Sequence, residues 1–232
     1  MRQIRKQAPP PALVNWIASN RNGPNCNYRS LDTDLRRTIR EALVAEQGHL
    51  CAYTGRIIET ETCHIEHLKP QAHCEALEDV TYRNLVAAVP QPNTPKLPYG
   101  AHLKDNWPSD ADAALFVSPL QNGCAARFSF SFSGKIQPTN PADAAASETI
   151  KRLGLEHDVL VGFRREAIKR TLQAPGKGPA SLNAKAARQR LQGLQQQELD
   201  APALEQFSFA LINALEKHIE RIQKISAKKN RA

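Results

Sequence analysis

Apolar residues recur at helical spacing in both flanks of the chain. Leu35, Ile39 and Leu43 recur every fourth residue, which predicts a helix over 33–47 that Asp32 caps and Gly48 ends. Prolines before an apolar stretch in the first thirty residues favour one short N-terminal helix. Beyond Pro141 the same periodicity predicts four more helices, over 142–153, 157–172, 182–198 and 202–226.

The middle of the chain has shorter, extended patterns. Short apolar stretches predict strands over 50–53 and 56–59, a third over 64–68, and a fourth where Phe128, Phe130 and Phe132 alternate with serines before a turn. Four prolines within 90–98 exclude a long regular helix there, and 99–124 has few periodic signals and predicts a loop. The glycines and prolines of 174–179 predict a hinge between two helices.

Composition narrows the class of protein. The chain has 232 residues, of which 41% are hydrophobic and 23% charged, and these values exclude wholesale disorder. No run of about 18 apolar residues occurs, so we expect no membrane span. The basic N-terminus lacks the apolar core of a secretory signal, and five cysteines are too few for a disulfide scaffold. We therefore expect a cytoplasmic protein.

Charge is distributed unevenly along the chain. The net charge of +8 divides into +4 over 1–50, −4 over 51–150 and +8 over 151–232. An acidic centre is therefore flanked by basic regions, which attract phosphate backbones or simply form solvated helix surfaces.

The candidate chemistry lies in the segment His64-Ile65-Glu66-His67, with Pro70 after it. A carboxylate next to an imidazole offers a ligand suited to Mg²⁺ or Mn²⁺ and a general base for neutral pH. Neighbours on an extended strand point to opposite faces, so both side chains serve one site only if the strand bends or ends there.

The order of these residues and those that follow resembles the HNH nucleases, which contain a ββα-metal finger. The resemblance assigns Glu66 as a metal ligand and His67 as the general base. It assigns Asn84 to bracing the loop that carries this base, Asn93 to a second metal ligand on the finger's helix, and Lys96 to the trailing lysine. His64 is a candidate for contact with the phosphate or the metal, and Lys69 is a candidate phosphate contact.

Segments 48–53, 64–67 and 82–85, with 118–120 and 134–136, are similar to the HNH subunit of Septu and retron-associated anti-phage systems. This resemblance implies an ATPase partner of the ABC/SMC type and, in retron versions, a reverse transcriptase with its RNA–DNA product. Relatives often hold structural zinc with two Cys-x-x-Cys pairs. Here the corresponding positions are Cys51 and Thr54, then Val89 and Pro92, so we predict no zinc and a buried, apolar role for Cys51.

The sequence thus predicts an α+β chain with a small ββα-metal core in a mainly helical protein. Its parts are an N-terminal helical arm over 1–48, a nuclease core with a loop and hairpin over 49–140, and a helical region over 141–232. The predicted activity is metal-dependent hydrolysis of phosphodiester bonds in DNA or tRNA.

Alternatives to this function and to two of its surfaces stay open. The chain could be a catalytically degenerate protein that binds nucleic acid or serves as a scaffold, or a ribonuclease toxin that cuts tRNA. The phenylalanines of 128–132 fit a buried strand face better than a stacking platform for bases. The amphipathic last helix packs on the two helices before it or docks on a partner.

Overall fold

The computed structural model describes residues 1–174, 176 and 181–229 and shows a mixture of helices and short strands. The described residues contain seven α-helices, α1 to α7 in chain order: Pro11–Asn20, Thr33–Glu46, Ala101–Lys104, Ala144–Arg152, Asp158–Leu172, Ala184–Asp200 and Ser208–Lys229. The four strands of the described residues, β1 to β4, are His64–His67, Leu85–Ala88, Phe128–Phe130 and Ile136–Pro138.

The predicted helix over 33–47 is confirmed as α2, for the reason that the sequence gives. The Asp32 side chain accepts a hydrogen bond from the Leu35 backbone N–H at 2.7 Å, which satisfies one of the free donors at the helix start. Leu35, Ile39 and Leu43 are buried and form the inner face of the helix. The N-terminal helix also forms as α1, with Pro11 at its first position.

The prediction of two full strands over 50–53 and 56–59 was wrong, because the pairing there is much shorter. Only one antiparallel bridge joins Leu50 to Ile57, around a turn in which Gly55 has φ +72°. A side chain on Gly55 would collide with Phe209 of α7, so the segment is a tight turn held under a helix. Cys51 is buried, as predicted.

The strand predicted over 64–68 is confirmed as β1, which pairs antiparallel with β2 from His64 opposite Ala88 to His67 opposite Leu85. The helix that was expected to carry Asn93 does not form at that position. Asn93 lies in an irregular proline-rich segment with φ +61°, because prolines supply no backbone N–H for a regular ladder. The next helix is α3, in a region predicted to be a loop.

The helices of the last third pack against one another as predicted: α7 lies against both α5 and α6. They form a second apolar cluster that includes Ile168, Leu194 and Leu215. The predicted hinge at 174–179 lies almost entirely outside the described residues. Within the described residues, no helix is both long enough and apolar enough to cross a membrane.

The main apolar cluster spans all three sequence regions, since it contains Met1 and Leu43 as well as Val86, Phe130 and Ala210. Two backbone hydrogen bonds tie the C-terminal region to the turn before β1: Leu204 N–H donates to Gly48 at 3.0 Å and Phe207 N–H donates to Gly55 at 2.9 Å. The β1–β2 hairpin therefore rests on one continuous core rather than on a separate small one.

Candidate active site

The alternation of β1 decides which candidate side chains meet. His64 and Glu66 lie on its partly exposed face, whereas Ile65 and His67 lie on its buried face. The strand keeps regular pairing with β2 throughout, so it does not bend between residues 66 and 67. The structure therefore brings Glu66 together with His64 and places His67 on the other side of the strand.

Glu66 carries a carboxylate whose two oxygens have different partners. Its Oε1 lies 2.9 Å from the ammonium of Lys104 and accepts a hydrogen bond from the Tyr53 hydroxyl at 3.4 Å. Its Oε2 faces His64 Nε2 at 3.7 Å. Burial raises the pKa of Glu66, but His64 and Lys104 outweigh it and hold the pKa below its usual value. The group is an anion at neutral pH.

His64 presents one ring nitrogen to Glu66 and fixes the other on the backbone. Its Nδ1 lies 2.5 Å from the carbonyl oxygen of Pro90, an acceptor, so Nδ1 carries a proton. In the neutral ring Nε2 then has the lone pair, directed at the exposed face. Burial lowers the pKa of His64, but the Glu66 carboxylate and the Pro90 carbonyl outweigh it and raise the pKa above its ordinary value.

His102 of α3 completes this face and was not among the residues that the resemblance assigned. Its ring stacks on His64 with centroids 5.9 Å apart, and its Nδ1 accepts a hydrogen bond from the Leu97 N–H at 3.0 Å. Burial lowers the pKa of His102, and the nearby charges of His64 and Lys96 act in the same direction. Lys96 is exposed and thus contributes positive charge beside the two rings.

His67 is enclosed on all sides, with only 5% of its surface exposed. Its Nε2 donates to the Asp79 carbonyl at 2.9 Å, its Nδ1 accepts from the Gln71 side-chain amide at 3.3 Å, and its ring lies edge-on to Tyr28. Burial lowers the pKa of His67 and favours the neutral ring. Both ring nitrogens are therefore engaged within the protein.

Asn84 braces the segment that follows β1. Its Oδ1 accepts from the Lys69 N–H at 2.7 Å, while its Nδ2 donates to the carbonyls of Lys69 at 3.1 Å and Glu78 at 3.2 Å. The amide thus closes the loop immediately after His67.

Lys69 was predicted to contact a phosphate. Its ammonium lies 2.8 Å from a carboxylate oxygen of Glu78 and 3.4 Å from one of Asp110, so it already has two acidic partners.

The residues fit a divalent cation that is shared with substrate better than one caged by protein alone. No group of three or more His, Cys, Asp or Glu side chains within the described ranges could hold a metal ion. Glu66 Oε2 and His64 Nε2 nevertheless offer an oxygen and a nitrogen 3.7 Å apart on an accessible face. Mg²⁺ typically takes one or two carboxylates and completes its shell with water and substrate phosphate. Among the described contacts, no hydrogen bond links exposed Asn93 to this face.

Two site residues were not predicted to contact Glu66. Lys104 is fully buried at its side chain and also donates to the His67 carbonyl at 2.8 Å, so it connects the two faces of β1. Tyr53 is buried beneath Glu66. Lys104 sits in an aperiodic segment and Tyr53 beside a turn, and neither pattern indicates a contact with residue 66.

Comparison with known proteins agrees with the nuclease interpretation. No family model matches the chain. Over 144 residues, covering 60% of this chain and 67% of its relative, the sequence is 27% identical to a protein of Vibrio cholerae serotype O1 biovar El Tor named "Retron Vc95 putative HNH endonuclease". The name of that relative associates it with a retron and with HNH endonucleases.

Proposed function

We propose that this chain is an HNH-type endonuclease that hydrolyses phosphodiester bonds in nucleic acid. The observation that carries the proposal is the pairing of His64 Nε2 with Glu66 Oε2 on the open face of a β-hairpin that a short helix follows. The order of two antiparallel strands and a helix is that of a ββα-metal finger, and the similarity to a retron protein points the same way.

Glu66 is the proposed donor for Mg²⁺ or Mn²⁺, through Oε2. When bound there, a divalent cation neutralises charge on the phosphate and favours ionisation of a water molecule. Lys104 fixes the orientation of the carboxylate from beneath, at 2.9 Å from Oε1, and leaves Oε2 for the exposed side. Asn93, the ligand assigned by resemblance, stays a prediction, as does Lys96 as a contact for the phosphate backbone.

We propose His64 as the residue that takes a proton from the attacking water. The Nδ1–H bond to Pro90 O holds the ring so that Nε2 is the nitrogen available on the exposed face. His67, the base assigned by resemblance, is the alternative, and it would have to release Asp79 or Gln71 to act. Asn84 serves either assignment, because its side-chain hydrogen bonds to Lys69, Cys74 and Glu78 fix the loop that leaves β1.

Cleavage assays on four variants test these roles. The protein, alone and with the products of neighbouring genes, is incubated with labelled DNA and tRNA in Mg²⁺ or EDTA. We expect Glu66→Gln and His64→Ala to lose at least 100-fold in rate, His67→Ala to lose stability first, and His73→Ala, a surface control, to retain the wild-type rate.

Each other result has a defined meaning. Loss of cleavage in a folded His67→Ala, with a normal rate in His64→Ala, would transfer the role of base to His67. Equal rates in all four variants would reject the site. A wild type that binds nucleic acid but never cleaves it would favour the non-catalytic alternative, in which Lys104 permanently neutralises Glu66.

The substrate and partners form a further part of the proposal. We propose DNA or tRNA as substrate, an ABC/SMC-type ATPase as partner, and a retron reverse transcriptase with its RNA–DNA product as an accompanying complex. The basic flanks, +4 over 1–50 and +8 over 151–232, suit association with nucleic acid. We propose the cytoplasm as its location, since all five cysteines are free. Co-purification from the native host tests the complex.

A further inference from the structure

A groove formed by residues between 132 and 221 combines an exposed aromatic ring with positive charge. It lies between α5, α7 and the turn that joins β3 to β4, and its volume is about 530 Å³. Phe132 is 39% exposed there, although Phe128 and Phe130 of the same alternating stretch are buried. The strand ends at Phe130, so the third phenylalanine leaves the core and lines the groove.

Among the residues that the structure describes, the lining of the groove has basic but no acidic side chains. Lys169 of α5 and Arg221 of α7 both line it, and His218 lies at its base with Nε2 donating to the Leu182 carbonyl at 2.8 Å. Arg221 also borders a neighbouring groove of about 250 Å³, where Lys224 and Lys228 extend the positive charge along α7. One acidic residue, Glu220, lies among the residues of that second groove.

These cations are available to a ligand. Within the parts of the chain that the structure describes, no salt bridge involves Lys169, Arg221, Lys224 or Lys228. Lys217 of the same helix differs, because its ammonium donates to Ser129 Oγ at 2.6 Å and to the Phe130 carbonyl at 2.7 Å. The unpaired positive charge therefore extends from the first groove, at Lys169 and Arg221, into the second, at Lys224 and Lys228.

We propose that this groove binds a single-stranded segment of nucleic acid. Phe132 stacks on a base, Lys169 and Arg221 contact phosphates, and the following phosphates continue along Lys224 and Lys228. Aromatic rings and cations in one groove are the usual means of binding single strands without reading their sequence. The volume lies within the range of about 300–1,000 Å³ that is typical of ligand sites. The inference deepens the proposed function, since it locates a surface that holds substrate away from Glu66.

Binding is measured without cleavage, so that the result does not depend on the proposed chemistry. Glu66→Gln protein in EDTA is titrated into a fluorescein-labelled 15-nucleotide oligo-dT, and anisotropy gives the affinity at several salt concentrations. The groove variant combines Lys169→Gln, Arg221→Gln and Lys224→Gln. The control variant removes equal charge from exposed positions that line neither groove, through Arg29→Gln, Arg37→Gln and Lys151→Gln.

We expect the groove variant to bind oligo-dT at least tenfold more weakly than the parent protein. The slope of log K against log salt concentration should also become shallower by about 2, because each of the three lost phosphate contacts contributes about 0.7 on a single strand. Phe132→Ala should weaken binding about tenfold, whereas Phe163→Ala, which removes an exposed ring outside the groove, should not. Circular dichroism melting confirms that each variant is folded.

Three results would overturn the inference. They are equal losses in the groove and control variants, unchanged binding by Phe132→Ala, and tighter binding of a 15-base-pair duplex than of the single strand. Groove variants that lose capture of a protein partner and keep full affinity for oligo-dT would instead make the surface a protein interface. In each case wild-type cleavage would still stand, so failure of the groove and failure of the active site are distinguishable.

Discussion

The ammonium of Lys104 lies 2.9 Å from Glu66 Oε1, and its side chain is fully buried. A charged lysine inside a protein is stabilised mainly by its counter-ion, and the carboxylate depends on it equally. Lys104 also donates to the carbonyl of His67 at 2.8 Å. One side chain thus sets the orientation of the proposed ligand and connects it to the backbone of the neighbouring histidine.

Lys104→Met should therefore destabilise the protein and increase its response to divalent cations. We expect a loss of about 3 kcal/mol in the free energy of unfolding, because Glu66 loses its cationic partner in a largely buried position. Mg²⁺ or Mn²⁺ should restore part of this loss by supplying positive charge to the same carboxylate. Thermal melting with and without each cation measures both effects.

The control for this experiment is the double variant Lys104→Met, Glu66→Gln. It removes both charges, so its melting temperature should be insensitive to Mg²⁺. A single variant that responds to Mg²⁺ no more than the wild type would show that Glu66 is not the site of cation binding.

Asn84→Ala should loosen the loop over 68–78 without unfolding the protein. The substitution removes four side-chain hydrogen bonds and leaves the Lys69 N–H without its partner, which typically costs about 1–3 kcal/mol. Hydrogen exchange followed by mass spectrometry should show faster exchange in that loop and unchanged exchange in α6. Protection that stays equal in both regions would contradict the bracing role.

Gly55→Ala should be far more costly than Gly123→Ala. Both glycines have nearly the same positive φ, +72° and +71°, a region that disfavours any residue with a side chain. A methyl group on Gly55 would overlap the ring of Phe209, whereas nothing lies within 4 Å of one on Gly123. We expect the Gly55 variant to lose about 1–3 kcal/mol more in urea unfolding, and equal losses would mean that α7 does not pack firmly on this turn.

Asp143 combines two roles that substitution can separate. It accepts a hydrogen bond from the Ala146 N–H at the start of α4 and accepts another from Arg127 Nε at 2.7 Å. Asp143→Ala removes both, whereas Asp143→Asn keeps a capping oxygen. We expect Ala to cost about 1–2 kcal/mol and Asn less.

The same pair predicts a pH dependence. Hydrogen bonding from Arg127 holds the pKa of Asp143 below its ordinary 3.8, so its stabilising effect is complete above that pH. The effect is lost as the pH falls through the lowered value, because the carboxylate then takes up a proton. The stability difference between wild type and Asp143→Asn should therefore be constant from pH 7 to 5 and shrink below pH 3.8.

Sequence patterns predicted most of the helices, because the residues that start a helix and form its buried face lie close together in the sequence. The Asp32 cap and the spacing of Leu35, Ile39 and Leu43 lie within one helix, and all four late helices form near the predicted positions. The last one begins at Ser208 rather than near residue 202, since residues 204–207 instead bond to the turn around Gly55.

The candidate site was harder to predict, because it depends on contacts between irregular segments. Glu66 and His64 were selected from β1, but their partners Lys104 and His102 come from a region with no periodic signal. His67 lies on the buried face because side chains alternate along a straight strand. The sequence alone could not show that β1 is straight up to His67, since Pro70 was compatible with a bend there. In the proline-rich segment that carries Asn93, the order of residues resembled the family motif, but the sequence did not predict the backbone conformation.

The bonds from Leu204 and Phe207 back to Gly48 and Gly55 also affect the order of folding. The turn beneath Glu66 is synthesised about 150 residues before the segment that covers it. Contacts of such high sequence separation form late, so the hairpin should emerge from the ribosome without its support. A nascent chain would then have an organised candidate site only after residue 207 has been synthesised, and the proposed cleavage of nucleic acid would start no earlier.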